Sequence, residues 1–405
     1  MSPQSHTIAA KDTVRPSTKR PALWRRLLGL AFWGLVLALI GLNAWKWDFE
    51  PQVDMKTVNA YISSGRLGEA ERALRTQMRR SRHDGEARMA LARLLGKRDD
   101  YIGCAKALHE VPDWWPRKAE ALFLEAQAYS MVDRARDAEV AWKACIAADP
   151  LHPVPSSHFR GAARELIAFY VLENRIDEAR ETVWKAYDEA SPAEHADVLV
   201  MRMRIELERI AHEEAVSKLR RFVSVTPNDW EARRALALEE QLTGHEDAAL
   251  RNIQECLGAQ PKNPDVWRTW LEILQQRGDL ETLKTAVTRL PAAADQDAEI
   301  WKFRGQAREL AGDLAGAAVA YGRAVDLKPY ESSYHYKLGL MEQRLGRPAE
   351  AREHTRKSQE LNQAYSQLSN AYFDFVEAAQ SAKPEDPKYQ AAVSKLALLC
   401  EQLGW

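Results

Sequence analysis

An all-α solenoid is the fold predicted for this 405-residue chain. Three observations predict it: units of one length recur, apolar residues fall at i, i+3, i+4 spacing, and alternation at strand period is absent. Units begin at Pro51, Gly85, Ala119, Arg160, Ala196, Trp230, Pro264, Ala298 and Ser332. They are 34 residues apart from Pro51 to Ala119 and from Ala196 to Ser332, with short inserts before Arg160 and Ala196. A helical hairpin of that length cannot bury its own apolar face, so the units must stack. Leu166, Ile167, Tyr170 and Val171 form one such stripe. A composition of 28% charged and 46% hydrophobic residues suits a soluble helical protein.

The unit from Ala298 shows why each position is occupied as it is. Trp301, Gly305, Gly312, Ala317, Tyr321, Ala324 and Pro329 stand at positions 4, 8, 15, 20, 24, 27 and 32. Gly305 and Ala317 let two antiparallel helices approach closely. Gly312 supplies a turn in which a Cβ would be strained, and Pro329 ends the second helix because it has no N–H to donate. Elsewhere Ala126, Tyr129, Ala138, Trp142 and Pro150 are in phase, as are Leu236, Ala237, Gly244, Ala249 and Pro261. The unit at Pro264 keeps Trp267 and Gly278 but has Leu283 at the small position. Pro112 and Pro291 should shorten the second helices of their units. The first unit is marked by Tyr61, Gly65 and Ala70, the last by Leu338, Gly339, Gly346 and Ala351. This pattern resembles the tetratricopeptide repeat. The resemblance implies a right-handed α-solenoid of about nine hairpins over residues 51–365, with capping helices over 366–405.

The beginning of the chain reads differently. Leu27 to Ala44 carries no charge, with Trp24 at one end and Trp45 and Trp47 at the other. Such a run predicts a membrane-spanning signal-anchor over residues 27–45. Basic residues precede it (Lys11, Arg15, Lys19, Arg20, Arg25 and Arg26 against Asp12), whereas Lys46 is soon offset by Asp48, Glu50 and Asp54. The expectation is a disordered cytoplasmic tail over residues 1–26 and an extracytoplasmic repeat domain, periplasmic in a bacterium. A cleaved signal peptide fits less well, because the apolar run is long and Leu42 stands where a small residue is preferred.

Chemistry is sparse. No glycine-rich phosphate loop or nucleophile elbow occurs. Cys104, Cys145 and Cys256 occupy small, buried repeat positions, Cys400 lies on the last helix, and no metal spacing links them. His212-Glu213 and His245-Glu246 lack the second histidine of a zinc site and read as solvated turn residues. No catalytic residue, metal or cofactor is therefore expected. Nucleic acid is an unsuitable partner: the chain carries −1 overall, and about −6 without its basic tail.

The resemblance also implies a groove lined by the first helix of each hairpin. Groove position 5 would present Arg164, Arg234, Arg268 and Lys302, and position 9 Arg204. Such cations would favour protein or peptide partners with acidic segments. A competing explanation is internal: Glu231, Asp265 and Glu299 stand three residues before three of those cations, where ion pairs within a helix form without a ligand. Position 9 holds Arg204, Leu238, Glu272, Gln306 and Leu340, not the asparagines of the family's carboxylate clamps. The functional expectation is a membrane-anchored scaffold that binds protein partners, with assembly of an envelope complex as one use. The alternatives are an accessory subunit presenting substrate, or self-association through Trp114 and Trp115.

Overall fold

The structure is a computed structural model that describes residues 33–39, 55–81, 83–148, 157–189, 195–207, 210–381, 383 and 386–404. Among these residues there are helices and turns and no strand. They fall into two compact units, Met1–Arg82 and His83–Trp405.

In the first unit α1 (Met55–Ser63) and α2 (Leu67–Arg80) pair as a hairpin around Gly65. Residues 33–39 are helical, and the rest of Leu27 to Ala44 lies outside the described residues, as does the basic tail. The single-pass membrane expectation needs correction: no helix among the described residues is long and apolar enough to cross a bilayer. The predicted signal-anchor and the topology built on it are therefore unsupported.

The second unit holds α3 (Gly85–Gly96), α4 (Tyr101–His109), α5 (Lys118–Met131), α6 (Ala135–Ala148), α7 (Ser157–Leu172) and α8 (Ile176–Glu189). Then come α9 (His195–Leu207), α10 (His212–Val225), α11 (Trp230–Leu242), α12 (Glu246–Ala259), α13 (Pro264–Arg277) and α14 (Leu280–Val287). A 3₁₀ turn (Ala292–Gln296) leads to α15 (Ala298–Leu310), α16 (Leu314–Leu327), α17 (Ser332–Arg344), α18 (Pro348–Ser381) and α19 (Pro387–Gln402). Successive helices pack as antiparallel pairs that stack on the next. The two helices ahead of Pro112 and Pro291 are the short ones, at nine and eight residues.

One backbone conformation sets the repeat. Position 15 is left-handed in eight units: Gly65, Asp99, Asp133, Asn174, Gly244, Gly278, Gly312 and Gly346 all have positive φ. Only glycine, asparagine and aspartate adopt it at low cost, and those are the residues found. In three of these turns the next residue, Asp100, Asp279 or Asp313, caps the following helix by accepting a backbone N–H. Packing completes the hairpin. A Cβ at Gly305 would stand 2.6 Å from the Tyr321 ring, so in this unit position 8 must be bare for Tyr321 to lie across it. Trp267 and Trp301 each donate their indole N–H to the carbonyl six residues back, Pro261 at 2.8 Å and Asp295 at 2.9 Å. Ala317, Ala324 and Tyr321 are fully buried.

The unit at Ala196 departs from this rule. Its position 15 is Ile210, a β-branched residue that cannot take the left-handed turn cheaply. Accordingly α9 does not pair with α10 as a hairpin. It lies on α7 and α8, and its other face meets α18 and α19. Ala196, Leu199, Val200, Met203 and Leu207 join Leu361, Leu368, Phe375, Leu396 and Cys400 in one apolar cluster. The C-terminal helices thus cap a helix from the middle of the chain. Moreover α18 runs unbroken for 34 residues across the expected boundary at 365–366, so the last hairpin's second helix and the first capping helix are one.

Candidate partner-binding surfaces

Of the five expected groove cations, Arg234 and Arg268 line one cavity and Arg164 and Arg204 another. Arg234 is buried (1% exposed) and donates to Glu231 (3.1 Å), to the Thr269 hydroxyl (3.1 Å) and to the Glu173 carbonyl (3.0 Å). Arg268 is held between Asp265 at 2.6 Å and Asp297 at 2.7 Å. Lys302 pairs with Glu299, which also accepts from the Tyr334 hydroxyl. Each of the three is therefore bound by the acid three residues before it. Arg164 and Arg204 are exposed and stand apart from these, on α7 and α9.

Arg234 belongs to a buried ionic cluster that locks α11 and α13 onto the ends of α6 and α7. Arg136 donates to Glu139, to Glu173 and, at 3.0 Å, to Asp229. Arg175 donates to Glu139 at 3.0 Å and to Glu173 at 3.1 Å, with its guanidinium 4.4 Å from the centre of the Tyr170 ring. Burial pushes the wholly enclosed Glu173 carboxyl up to about 7, in spite of Arg136 and Arg175. Burial opposes ionisation of Glu139 too, but the Arg175 hydrogen bond and the Arg136 charge hold it down to about 2. The difference is one of partners: Glu139 gathers more direct donors, while Glu173 also faces the Asp229 charge.

Beside this cluster lies a cavity of about 520 Å³ lined by both signs of charge. Arg175, Arg180, Arg268 and Lys328 enter it alongside Asp177, Glu178, Glu272 and Glu299. Lys328 reaches Asp177 at 3.2 Å, so the residues after α16 touch the start of α8. A second cavity, of about 510 Å³, occupies the seam between α8, α9 and the C-terminal helices. There Arg180 and Arg202 both bind Glu206 at 2.8 Å, and the Tyr365 hydroxyl donates to the Glu206 carbonyl at 3.1 Å. A third, smaller depression of about 200 Å³ lies between α7 and α9, with Arg164 and Arg204 in its lining.

Solved structures similar to the chain include repeat proteins of this architecture. MamA from Desulfovibrio magneticus RS-1 is 24% identical over 43% of this chain and 97% of its own, with a TM-score of 0.34. A tetratricopeptide repeat protein from Parabacteroides merdae is 12% identical over 64% of this chain and 98% of its own, at 0.32. Pseudomonas aeruginosa PilF is 15% identical over 53% and 94%, at 0.35. No protein-family model matches the chain, and no curated protein does. At such scores the tetratricopeptide-like architecture rests on the hairpins themselves.

The remaining candidates fall into place locally. His212 contacts Glu239 at 2.8 Å and His245 contacts Thr243 at 2.8 Å, both at the surface. All four cysteines are buried. Trp114 is 69% exposed, while Trp115 packs over Gly85, where a Cβ would stand 2.6 Å from its ring. Sequence reasoning missed the ionic cluster and the seam, because their members come from hairpins far apart along the chain. Asn174-Arg175 at a turn position was the one available sign.

Proposed function

We propose that the repeat unit is a scaffold that binds protein partners and has no catalytic site of its own. The observation that supports this most directly is that the carboxyl pushed up to about 7, Glu173, is sequestered: it is wholly buried and ion-paired, so no substrate can reach it. Several of the charges lining the 520 Å³ cavity are engaged with one another, as in Lys328–Asp177 and Arg268–Asp265. What stacked hairpins offer instead is extended surface, which is the usual use of such architectures. A role in assembling an envelope complex rested on the membrane expectation and falls with it. The test is photo-crosslinking in intact cells from probes replacing Ala168 on α7, Glu272 on α13 and Asp326 on α16. Capture of discrete proteins is expected, and failure at all three positions would defeat the scaffold reading.

A further inference from the structure

The hairpin of α17 and α18 carries two histidines whose ring centres lie 5.4 Å apart. His335 stands at position 4, where the two preceding units have Trp267 and Trp301, and it keeps their hydrogen bond. Its Nε2 lies 2.9 Å from the carbonyl six residues back, that of Pro329. A carbonyl only accepts, so Nε2 of His335 holds the proton and its Nδ1 presents a lone pair. That Nδ1 lies 3.1 Å from Nδ1 of His354 on α18. In the two preceding units the position of His354 is alanine, Ala286 and Ala320. Gly339 lets the helices approach: a Cβ there would stand 3.3 Å from the Ala351 carbonyl oxygen and 3.4 Å from the His354 Cβ. His335 is buried and His354 half-buried.

The bridge tolerates one charge and not two. With His335 in that tautomer, the bridging proton sits on Nδ1 of His354. A proton added to Nε2 of His354 leaves the bridge intact and makes it charge-assisted. A proton added to Nδ1 of His335 removes the acceptor and sets two cationic N–H donors against each other. The titratable groups acting on His335 are His354 and Lys357, both on α18, and the turn before α17 adds the Pro329 carbonyl. Burial first, then those two charges, hold His335 below its ordinary 6.5, although the Pro329 bond raises it. The bridged state therefore resists the second proton: its advantage is whole above 6.5 and shrinks as pH falls below that value. We propose that the His335–His354 bridge is an acid-released latch between α17 and α18. The turn that it fastens also seats the end of the C-terminal arm. A Cβ at Gly404 would stand 2.4 Å from the Tyr330 ring, and Lys357 lies 5.9 Å from that ring's centre. Pro329, Tyr330 and Gly404 line the 510 Å³ seam cavity, so release of the latch loosens one of its walls.

The experiment uses the purified full chain with nitrogen-15 in its histidines. Long-range proton–nitrogen spectra at pH 7.5 should show His335 protonated on Nε2 and His354 on Nδ1. Hydrogen exchange read by mass spectrometry then compares wild type with His335→Trp/His354→Ala, which rebuilds the pair found in the two preceding units and cannot titrate. Both proteins are measured at the same pH, which cancels the intrinsic pH dependence of exchange. Between pH 7.5 and pH 5.5 the exchange rate of α17 and α18 peptides, wild type relative to variant, should rise by up to about tenfold. That limit follows because one pH unit is a factor of ten in proton binding. If the double variant does not fold, His354→Ala takes its place: with the neighbouring charge gone, His335 should titrate at higher pH than in wild type. A neutral His335 protonated on Nδ1, a rate ratio that does not change with pH, or a His335 titration unmoved by His354→Ala would overturn the proposal.

Discussion

Two side chains show how little room the hairpins leave. Gly305 is bare because the Tyr321 ring lies where its Cβ would go. Gly305→Ala is therefore expected to destabilise the protein by about 1–3 kcal/mol in urea melts. Gly322→Ala, on the same hairpin but with nothing within 4 Å, should be neutral or stabilising by up to about 1 kcal/mol. Glu173 makes the other case, through protons. Its folded carboxyl titrates near 7, above the ordinary 4.5, so the folded state binds the proton more tightly than the unfolded chain. Stability from this group is present below the ordinary carboxylate value and is lost as pH rises through 7. Glu139, held near 2, acts oppositely: its contribution is present above 4.5 and is lost as pH falls toward 2. Denaturation midpoints measured from pH 3 to pH 9 should fall away on both sides, and Glu173→Gln should flatten only the neutral limb. A wild-type slope that survives this substitution would assign the neutral limb to another group.

At the scale of the element, the left-handed residue at position 15 decides whether two helices become a hairpin. Gly312→Val should cost about 2 kcal/mol or more by forcing a β-branched residue into that turn, whereas Ile210→Val should change stability by less than about 0.5 kcal/mol. Equal effects in melting experiments would mean that the turn conformation is incidental. This is also where the sequence was most legible. Turn glycines, position-8 glycines and closing prolines act on neighbours within a few residues, so Gly305, Gly312, Tyr321 and Pro329 could be placed from their spacing. The unit at Ala196 was read as regular, and only the structure shows that Ile210 at its turn position accompanies a hairpin that does not close. The groove cations were harder to read. Whether Arg234 faces solvent depends on Glu173 and Thr269, which lie 61 and 35 residues away. No local pattern encodes that. The apolar run near the start illustrates the converse, since residue type alone suggested a span that no described helix provides.

The repeat unit as a whole is fastened at a seam as well as by its stack. Cys400 sits in the cluster that joins α19 to α9, and burial raises its thiol to about 11. Cys104 and Cys256 are raised in the same way, to about 11 and about 12, but they lie inside hairpins. In low denaturant, maleimide should therefore label Cys400 first, as the C-terminal arm lifts from α9 before any hairpin opens. Simultaneous labelling of all four thiols, followed by mass spectrometry, would show that the arm and the hairpins open together.

A linear stack can grow from any point and stop at any length, with each added hairpin answering only to its neighbour. Docking α19 on α9 removes that freedom. The chain must complete nine more helices after α9 before that helix's second face finds its cover. Synthesis thus leaves Met203 and its neighbours wet until α18 and α19 have emerged, which makes those two helices the condition for a dry core at α9.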